Sequence, residues 1–228
     1  MIIEFNGLAG CGKSTLQQKL SEMSSDISYA GVAEFRGNGL SGLKKLFLKF
    51  RRFVCQYLPG NLKFYLLCRK LFSSAESNNN FSLRENRISI MYMVYLYETY
   101  RRCGDGILVS DEGFLQTLAS IGAKGRLNPK AVGAVCRELK KINGGIFEIN
   151  CKSDVDGAII RIRERNRNDS AIDRLGGSEL RDYLTEFDRQ LRIFRRYFGK
   201  KYGHMYVDTS LPPEKSAQQI AERIHDFQ

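Results

Sequence analysis

The chain has 228 residues, of which 43% are hydrophobic and 27% are charged, a balance typical of one or two folded domains and not of a disordered chain. It carries 36 Lys and Arg residues against 25 Asp and Glu, a formal net charge of +11, which favours anionic partners such as phosphorylated small molecules, nucleic acid or an acidic membrane surface. With only two histidines, a metal site built from several histidine ligands is excluded.

The cysteines and the first residues indicate the compartment. The six cysteines are scattered without a C-x-x-C pair, and the opening MIIEFNG lacks the charged and apolar segments of a secretory signal. The sequence contains no run of eighteen apolar residues that could span a bilayer. These features predict reduced cysteines that serve as small core residues, in a cytoplasmic protein.

Short apolar runs alternate along the chain with stretches of helical spacing. The predicted strands are Met1 to Phe5, Ser28 to Phe35, Ile107 to Ser110, Ile146 to Asn150 and Met205 to Val207. The predicted helices cover residues 14–23, 43–58, 62–72, 81–103, a segment from about 114, and residues 130–141, 154–167, 179–198 and 214–227. Alternating strands and helices predict an α/β fold with a parallel sheet and right-handed crossovers.

The strongest motif follows the first predicted strand. Residues 7–15 read GLAGCGKST and match the phosphate-loop pattern G-x-x-x-x-G-K-[ST]. Its glycines let successive backbone amides turn toward a phosphate, and the following helix adds the positive end of its dipole. We expect Lys13 to reach the β- and γ-phosphates and the Ser14 hydroxyl to bind Mg²⁺. The residues predicted to bind the nucleotide here are Gly7, Gly10, Cys11, Gly12, Lys13, Ser14 and Thr15.

Two acidic residues follow the apolar strand that ends at Ser110. Asp111 stands at the carboxyl edge of the predicted sheet, where it is expected to hold Mg²⁺. The alternative is that Asp111 caps a helix starting near Phe114. Glu112 is either a general base or a solvated acid in the first turn of that helix.

Arginines alternate at positions 161, 163, 165 and 167, after the fourth predicted strand. On a helix, Arg161 and Arg165 share one face, where they can clamp a transferring phosphoryl group. The alternative is a solvated basic face. We therefore predict Lys13, Asp111, Arg161 and Arg165 as the catalytic residues.

Taken in order, these motifs resemble the thymidylate-kinase-like branch of the P-loop nucleoside and nucleotide kinases, over nearly the whole chain. The resemblance implies a three-layer α/β sandwich with a parallel sheet of about five strands and helices on both faces. It also implies a single domain with its core at residues 1–36, 81–153 and 202–228, a helical acceptor-binding insert at about 37–80 and a lid at about 154–178. ATP as donor rests on this resemblance, and the sequence has no Asn-Lys-x-Asp guanine element.

The resemblance further implies residues that contact the acceptor and the base. Glu34 and Arg36 lie in an element similar to the family's acid-Pro-Gly-Gly, and Arg87 lies where the family supplies an arginine to the acceptor's phosphate. Glu112 replaces an arginine of the family, which argues for an acceptor other than thymidylate. Acceptor-binding residues are therefore predicted at Glu34, Arg36, Arg87 and Glu112, and base-contacting residues at Asp208 and Thr209.

The region from 37 to 75 is basic and apolar. It contains no acidic residue but carries Lys44, Lys45, Lys49, Arg51, Arg52, Lys63, Arg69 and Lys70. Apolar residues recur every three or four positions from Leu43 to Leu58, and we expect this stripe to pack inward. The alternatives are recognition of a large anionic acceptor or peripheral contact with an acidic membrane. Nucleic acid is disfavoured as a partner, because the aromatic residues follow the period of a helix core.

The leading prediction is an ATP- and Mg²⁺-dependent phosphotransferase. It would move the γ-phosphoryl group to a nucleotide-like or other small phosphate- or hydroxyl-bearing acceptor. The alternative is a P-loop ATPase or nucleotide-dependent switch without a metabolite acceptor. A second copy of the chain, in a homodimer, is a further candidate partner.

Overall fold

The computed structural model describes residues 1–23, 27–37, 40–73, 76–77, 83–104, 106–142, 145–165, 172–198 and 203–225. The strands are β1 (Ile2–Asn6), β2 (Ile27–Tyr29), β3 (Glu76–Ser77), β4 (Ile107–Ser110), β5 (Gly125–Arg126), β6 (Ile146–Lys152) and β7 (Gly203–Asp208). The helices are α1 (Lys13–Met23), α2 (Val32–Arg36), α3 (Gly42–Cys55), α4 (Pro59–Ser73), α5 (Leu83–Arg101), α6 (Phe114–Lys124), α7 (Pro129–Leu139), α8 (Val155–Glu164), α9 (Gly177–Phe198) and α10 (Pro213–His225).

Five of the strands form one parallel sheet in the order β2-β4-β1-β6-β7. The central strand β1 lies between β4 and β6, with Ile3 opposite Val109 on one side and Phe147 on the other. All carboxyl ends therefore meet at one edge, which is the edge from which the phosphate loop leaves β1. The predicted five-stranded parallel sheet is confirmed. A separate antiparallel pair joins β3 to β5.

The sheet is covered on both faces, since the residues of its central strands are buried without alternation. Every residue of β1 is buried, and Ile3 and Phe5 have no exposed surface. Glu4, which points to the opposite face from these two, meets Tyr100 of α5 and the start of α6. On the rest of the core, α1 packs against α10 and α6 packs against α9.

The segment after β2 differs from the prediction. Instead of a strand continuing to Phe35, β2 ends at Tyr29 and α2 begins at Val32. The carboxylate of Asp111 accepts a hydrogen bond from the Val32 backbone amide, which satisfies one of the free amides at the helix start. Phe35 is buried between the rings of Tyr92 and Tyr95, at centroid distances of 5.2 and 5.5 Å. Packing by one turn of helix thus replaces strand pairing here.

A row of polar side chains crosses the middle of the buried sheet. Ser110, Glu4 and Glu148 lie side by side on β4, β1 and β6. Glu4 accepts hydrogen bonds from the Phe114 amide at 2.8 Å and from the Tyr100 hydroxyl at 3.0 Å. Burial raises the pKa of Glu4 to about 7 in spite of these bonds, and burial and the neighbouring Glu4 raise the pKa of Glu148 to about 7.

Helix α3 turns its apolar face away from the rest of the protein. Leu43 is 84% exposed, Phe47 67% and Phe50 63%, whereas Gln56, directly after the helix, is buried. The expectation that this stripe packs inward is therefore wrong. Among the described residues, no helix is both long and apolar enough to cross a bilayer.

Candidate active site

The phosphate loop lies between β1 and α1 and is sharply curled. Gly7, Gly10 and Gly12 have φ angles of +151°, +79° and +93°, which glycine adopts without steric cost. The Cys11 amide donates to the Leu8 carbonyl oxygen at 3.2 Å and closes a turn. This backbone is the shape that the motif predicts for a loop that surrounds a phosphate group.

Two of these glycines also allow close packing. A Cβ atom on Gly7 would lie 2.6 Å from the Cys151 carbonyl oxygen, and one on Gly10 would lie 2.8 Å from the Ala158 carbonyl oxygen in α8. Both distances are too short for any side chain. Gly10 therefore brings α8, with its arginines, directly against the phosphate loop.

Lys13 is the first residue of α1 and reaches back over the loop. Its Nζ donates to the carbonyl oxygens of Gly7 and Leu8, each at 2.9 Å, and lies 3.6 Å from Cys11 Sγ. A hydrogen bond with Cys151 and the charge of Lys13 lower the pKa of the buried Cys11 thiol. All six cysteines are free thiols. The lysine thus places a positive charge inside the curl of the loop.

A cavity of about 510 Å³ opens over the phosphate loop. It is lined by Ala9, Gly10, Cys11, Gly12, Lys13, Ser14, Thr15, Glu112, Gln116, Ser120, Arg161, Arg165, Ile172, Asp173, Tyr183 and Phe187. We call it the loop cavity. It brings together the phosphate loop, both predicted arginines of residues 154–178 and Glu112, although these residues lie far apart in the sequence.

Both arginines of the loop cavity are held in place by hydrogen bonds. Arg161 donates to the Ser153 hydroxyl. Arg165 forms an ion pair with Asp173 at 2.5 Å, and this carboxylate is 2% exposed. Arg163 instead donates to the Leu175 carbonyl oxygen at 2.7 Å. The prediction that Arg161 and Arg165 share one face is confirmed, since both line the same cavity.

A second cavity of about 640 Å³ adjoins the first at Arg161, which lines both. It contains the predicted base-contacting residues Asp208 and Thr209, together with Gly7. Thr209 donates to the Lys152 carbonyl oxygen at 2.7 Å, and Asp208 accepts from the Ser210 amide at 2.9 Å. The loop after β7 thus lies beside the phosphate loop, on the far side of Arg161 from Glu112.

The structure distinguishes the two acids that follow β4. Glu112 lines the loop cavity, whereas Asp111 lies against the start of α2 and does not line it. The helix start at Phe114, which was the alternative role for Asp111, is bonded by Glu4 instead. One oxygen of Asp111, Oδ1, is buried without a hydrogen-bond partner.

The environments of these acids raise both pKa values. Burial raises the pKa of Asp111, and the nearby Glu34 raises it further. Glu112 is open to the cavity, but the surrounding protein and then the Asp111 carboxylate raise its pKa, while Lys13 and Arg36 oppose this change. Arg36 is therefore close enough to Glu112 to act on its charge.

The predicted acceptor residues fall into two groups. Glu34 and Arg36 are exposed on α2, next to Asp111 and Glu112. Arg87 is exposed near the start of α5 and lines neither cavity over the phosphate loop. The structure thus groups Glu34, Arg36 and Glu112 and leaves Arg87 apart from them.

Three residues near the site were not singled out from the sequence. Gln116 Oε1 accepts a hydrogen bond from the Gly7 amide at 3.1 Å, and Tyr183 shares one with Ser120 at 3.2 Å. Arg52 lies over the ring of Phe35 at 4.6 Å and donates to the Glu34 carbonyl oxygen at 2.5 Å. Gln116 had a signal in the sequence, since it is a polar residue within the apolar run FLQTLASIG.

The donors fit a magnesium ion held mainly by phosphates. Ser14 and Glu112 line the same cavity, and Asp111, the residue before Glu112, has a buried oxygen without a hydrogen-bond partner. Within the described ranges, no three His, Cys, Asp or Glu side chains form a dedicated metal cluster. Magnesium characteristically uses one or two protein oxygens together with substrate phosphates, so these residues fit that ion.

If the phosphate loop binds ATP as the motif predicts, replacing Gly10 with alanine should weaken that binding by about tenfold or more, because the added Cβ must displace α8 from the loop. Gly145→Ala is the matched control: its φ is also positive, at +68°, but a Cβ there meets no atom within 4 Å. Calorimetric titration with ATP should separate the two variants. Equal affinities would show that the contact with α8 does not shape the site.

The comparisons with known proteins rest on the three-dimensional structure. No protein-family model matches the sequence, and no curated protein matches it. Deoxyadenosine kinase from M. mycoides with the products dCMP and dCDP bound is similar at a TM-score of 0.58 and 12% identity, over 100% of both chains. The same enzyme with dATP bound gives 0.57 and 13%, and with dCTP bound 0.54 and 13%, each over 99% of this chain and 100% of the other. The chain therefore has the fold of the P-loop nucleoside kinases.

Proposed function

We propose that the protein is an ATP- and Mg²⁺-dependent kinase that phosphorylates a hydroxyl group of a nucleoside-like acceptor. The observation that carries this proposal is the loop cavity, in which the phosphate loop, two held arginines and a carboxylate converge. Phosphoryl transfer needs mainly positioning and charge neutralisation. These residue types supply both.

Each residue of the loop cavity has a role in the proposed transfer. The amides of the phosphate loop and the Lys13 ammonium would hold the β- and γ-phosphates, and Arg161 and Arg165 would neutralise charge on the transferring group. When bound, Mg²⁺ would supply further neutralisation of the phosphate oxygens, and Ser14 with Glu112 or Asp111 would hold it. Asp208 and Thr209, in the adjoining cavity, would contact the purine base of the bound ATP.

A nucleoside hydroxyl as acceptor is supported by two findings. The solved structures described above are of a deoxyadenosine kinase. Two carboxylates are candidate bases, since Glu112 lines the loop cavity and Glu34 acts on the neighbouring Asp111. An alcohol needs a base to accept its proton, whereas an acceptor phosphate is already ionised. The acceptor oxygen would bond to the γ-phosphorus as the bond to the β–γ bridging oxygen breaks, and the proton would pass to the carboxylate.

A second candidate function is ATP hydrolysis without a metabolite acceptor. The observation in its favour is that Glu112 lines the same cavity as Lys13 and Ser14, where it could orient and deprotonate a water molecule. In that case Glu34, outside this cavity, has no part in the reaction.

The two functions can be separated with Glu34→Gln and Glu112→Gln in an assay of labelled γ-phosphate. Given ATP and a panel of nucleosides, nucleoside monophosphates and sugar phosphates, the wild type should transfer label to a nucleoside. Replacing the carboxylate that acts as the general base should reduce transfer of the labelled phosphate by about a hundredfold or more. Glu22→Gln, an exposed change on α1, is the matched control.

Release of inorganic phosphate alone, abolished by Glu112→Gln and unchanged by Glu34→Gln, would favour the hydrolase. Transfer of label to a nucleoside monophosphate would support the kinase function but would show that the acceptor group is a phosphate and not a hydroxyl. Neither transfer nor release with any acceptor would overturn both functions.

We further propose that the chain works as one domain in the cytoplasm, with residues 37–80 as acceptor-side insert and 154–178 as lid. The contact of Arg52 with Glu34 supports the first assignment, and the ion pair of Arg165 supports the second. The six free cysteines support a reducing compartment.

A further inference from the structure

Helix α3 and the short turn of residues 56–58 after it present a continuous apolar surface. Eight residues spaced by three or four positions, each at least 40% exposed, lie on one side of the helix. We call them the apolar α3 face: Leu43, Leu46, Phe47, Phe50, Phe53, Val54, Tyr57 and Leu58. A contiguous apolar surface of this kind marks a site of interaction with a protein or membrane.

The opposite side of the helix fixes this orientation. The Arg52 guanidinium lies over the rings of Phe35 and Tyr95, at 4.6 and 5.4 Å, and donates to the Glu34 carbonyl oxygen. Gln56 is buried, and Asn61 at the start of α4 donates to the Cys55 carbonyl oxygen at 3.0 Å. Turning the apolar α3 face inward would break these contacts, so the face is held outward.

The charged side chains of α3 that flank the apolar α3 face are all positive. At 100° per residue, Lys44 and Arg51 flank one border of the face and Lys49 flanks the other. Residues 37–75 contain eight basic and no acidic side chains. A second copy of the chain would bring the same positive charges to the contact, so charge complementarity favours an anionic surface.

A groove of about 280 Å³ runs along the border of the face that meets α5. Phe47, Phe50, Val54 and Leu58 line it, and Arg51 and Arg102 lie at its sides. The one carboxylate there, Glu98, pairs with Arg102 at 2.5 Å. An apolar groove with guanidinium groups beside it suits a molecule with an apolar chain and an anionic head.

We propose that the apolar α3 face docks the protein on membranes that contain anionic lipid. The aromatic and aliphatic side chains enter the boundary between headgroups and acyl chains, and Lys44, Lys49 and Arg51 contact the phosphate groups. This combination of apolar burial and basic charge gives reversible attachment without a membrane-spanning segment.

Co-sedimentation of the full chain with vesicles tests the proposal. Binding is expected to vesicles of phosphatidylcholine with about one-third phosphatidylglycerol, and not to phosphatidylcholine alone. Phe50→Ser should reduce the affinity by about tenfold or more, and Met23→Ser, an equally conservative change at a 51% exposed residue of α1, should leave it unchanged. Lys44→Gln with Lys49→Gln should reduce it by about fivefold per lysine, and Lys130→Gln with Lys215→Gln should not.

A fluorescence measurement gives an independent readout, because the chain has no tryptophan. Phe50→Trp introduces a single probe into the apolar α3 face, and Met23→Trp introduces the matched probe elsewhere. Anionic vesicles should shift the Phe50→Trp emission to shorter wavelength and leave the Met23→Trp emission unchanged. Circular dichroism of each variant checks that the fold is kept.

Three results would overturn the proposal. One is the absence of binding and of an emission shift with anionic vesicles. Another is equal binding to neutral vesicles. The third is a dimer in solution, seen by light scattering, that Phe50→Ser converts to a monomer, since the face would then be covered by a second copy. None of these measurements depends on phosphoryl transfer, so they are separate from the test of the proposed kinase.

Discussion

Lys13→Ala should reduce the rate of phosphoryl transfer by about a hundredfold to a thousandfold. This is the range observed when one preorganised donor to a reacting group is removed. The reason is geometric: the Lys13 ammonium lies inside the curl of the phosphate loop, 2.9 Å from two of its carbonyl oxygens. The measurement is steady-state transfer of labelled phosphate to the acceptor identified in the screen.

The matched control is Lys19→Ala on the same helix. Lys19 pairs with Glu22 at 3.1 Å and with Glu214 at 3.4 Å, away from the loop, and the change should leave turnover unaltered. Thermal unfolding should show both variants folded, because a few hydrogen bonds to the loop carbonyls and a solvent-exposed ion pair each contribute little to stability. Transfer by Lys13→Ala at a rate comparable to the wild type would show that the phosphate-loop assignment is wrong.

Raising the pH from about 5 to about 8 should destabilise the protein, and Glu4 should account for roughly 2.5 kcal/mol of the loss. Burial raises the pKa of Glu4 from 4.5 to about 7, so the folded state binds this proton more tightly than the unfolded chain does. The stability from this site is therefore complete below about pH 4.5 and is lost as the pH rises through about 7. Urea unfolding followed by circular dichroism measures the free energy at each pH.

Glu4→Gln should remove that part of the pH dependence. The amide oxygen can still accept from the Phe114 amide, but the side chain no longer titrates. The variant should lose free energy of unfolding overall, since the amide NH₂ that replaces one carboxyl oxygen is a buried donor where the carboxylate accepts hydrogen bonds. Its slope against pH should nevertheless be smaller than in the wild type. Glu222→Gln, an exposed change on α10, should keep the wild-type slope, and equal slopes for all three proteins would refute the role of Glu4.

Much of the core of the site could be predicted from the sequence because its determinants are local. The residues of the phosphate loop are consecutive, and their glycines adopt the positive φ angles that the motif requires. The convergence of Arg161 and Arg165 on that loop follows from the parallel sheet, which brings the carboxyl ends of β1 and β6 to one edge.

The choice between Asp111 and Glu112 could not be predicted, because adjacent residues after a strand point in different directions. Which one faces the loop cavity depends on α2, whose Val32 amide takes Asp111 as partner. That short helix was predicted as part of a strand, so its partner could not be identified. The role of Glu4 was hidden for a related reason, since its partners Tyr100 and Phe114 lie about a hundred residues away.

Helix α3 shows a further limit of sequence patterns. The spacing of its apolar residues predicts a helix with an apolar side but not the direction in which that side faces. The direction depends on Arg52, whose partners Phe35 and Tyr95 belong to α2 and α5. No repeat within 42–55 carries that information.

The two sides of α3 are parts of one stiff rod. On its outer side, Phe50 is exposed to the membrane surface that we propose as its partner. On its inner side, Arg52 is hydrogen-bonded to the short helix that carries Glu34. A tilt of α3 on attachment to a membrane would move Arg52 and its hydrogen-bond partner Glu34. The Glu34 carboxylate, a proposed acceptor of the proton, would move with them. Membrane attachment and the rate of phosphoryl transfer would then be coupled through one helix of fourteen residues.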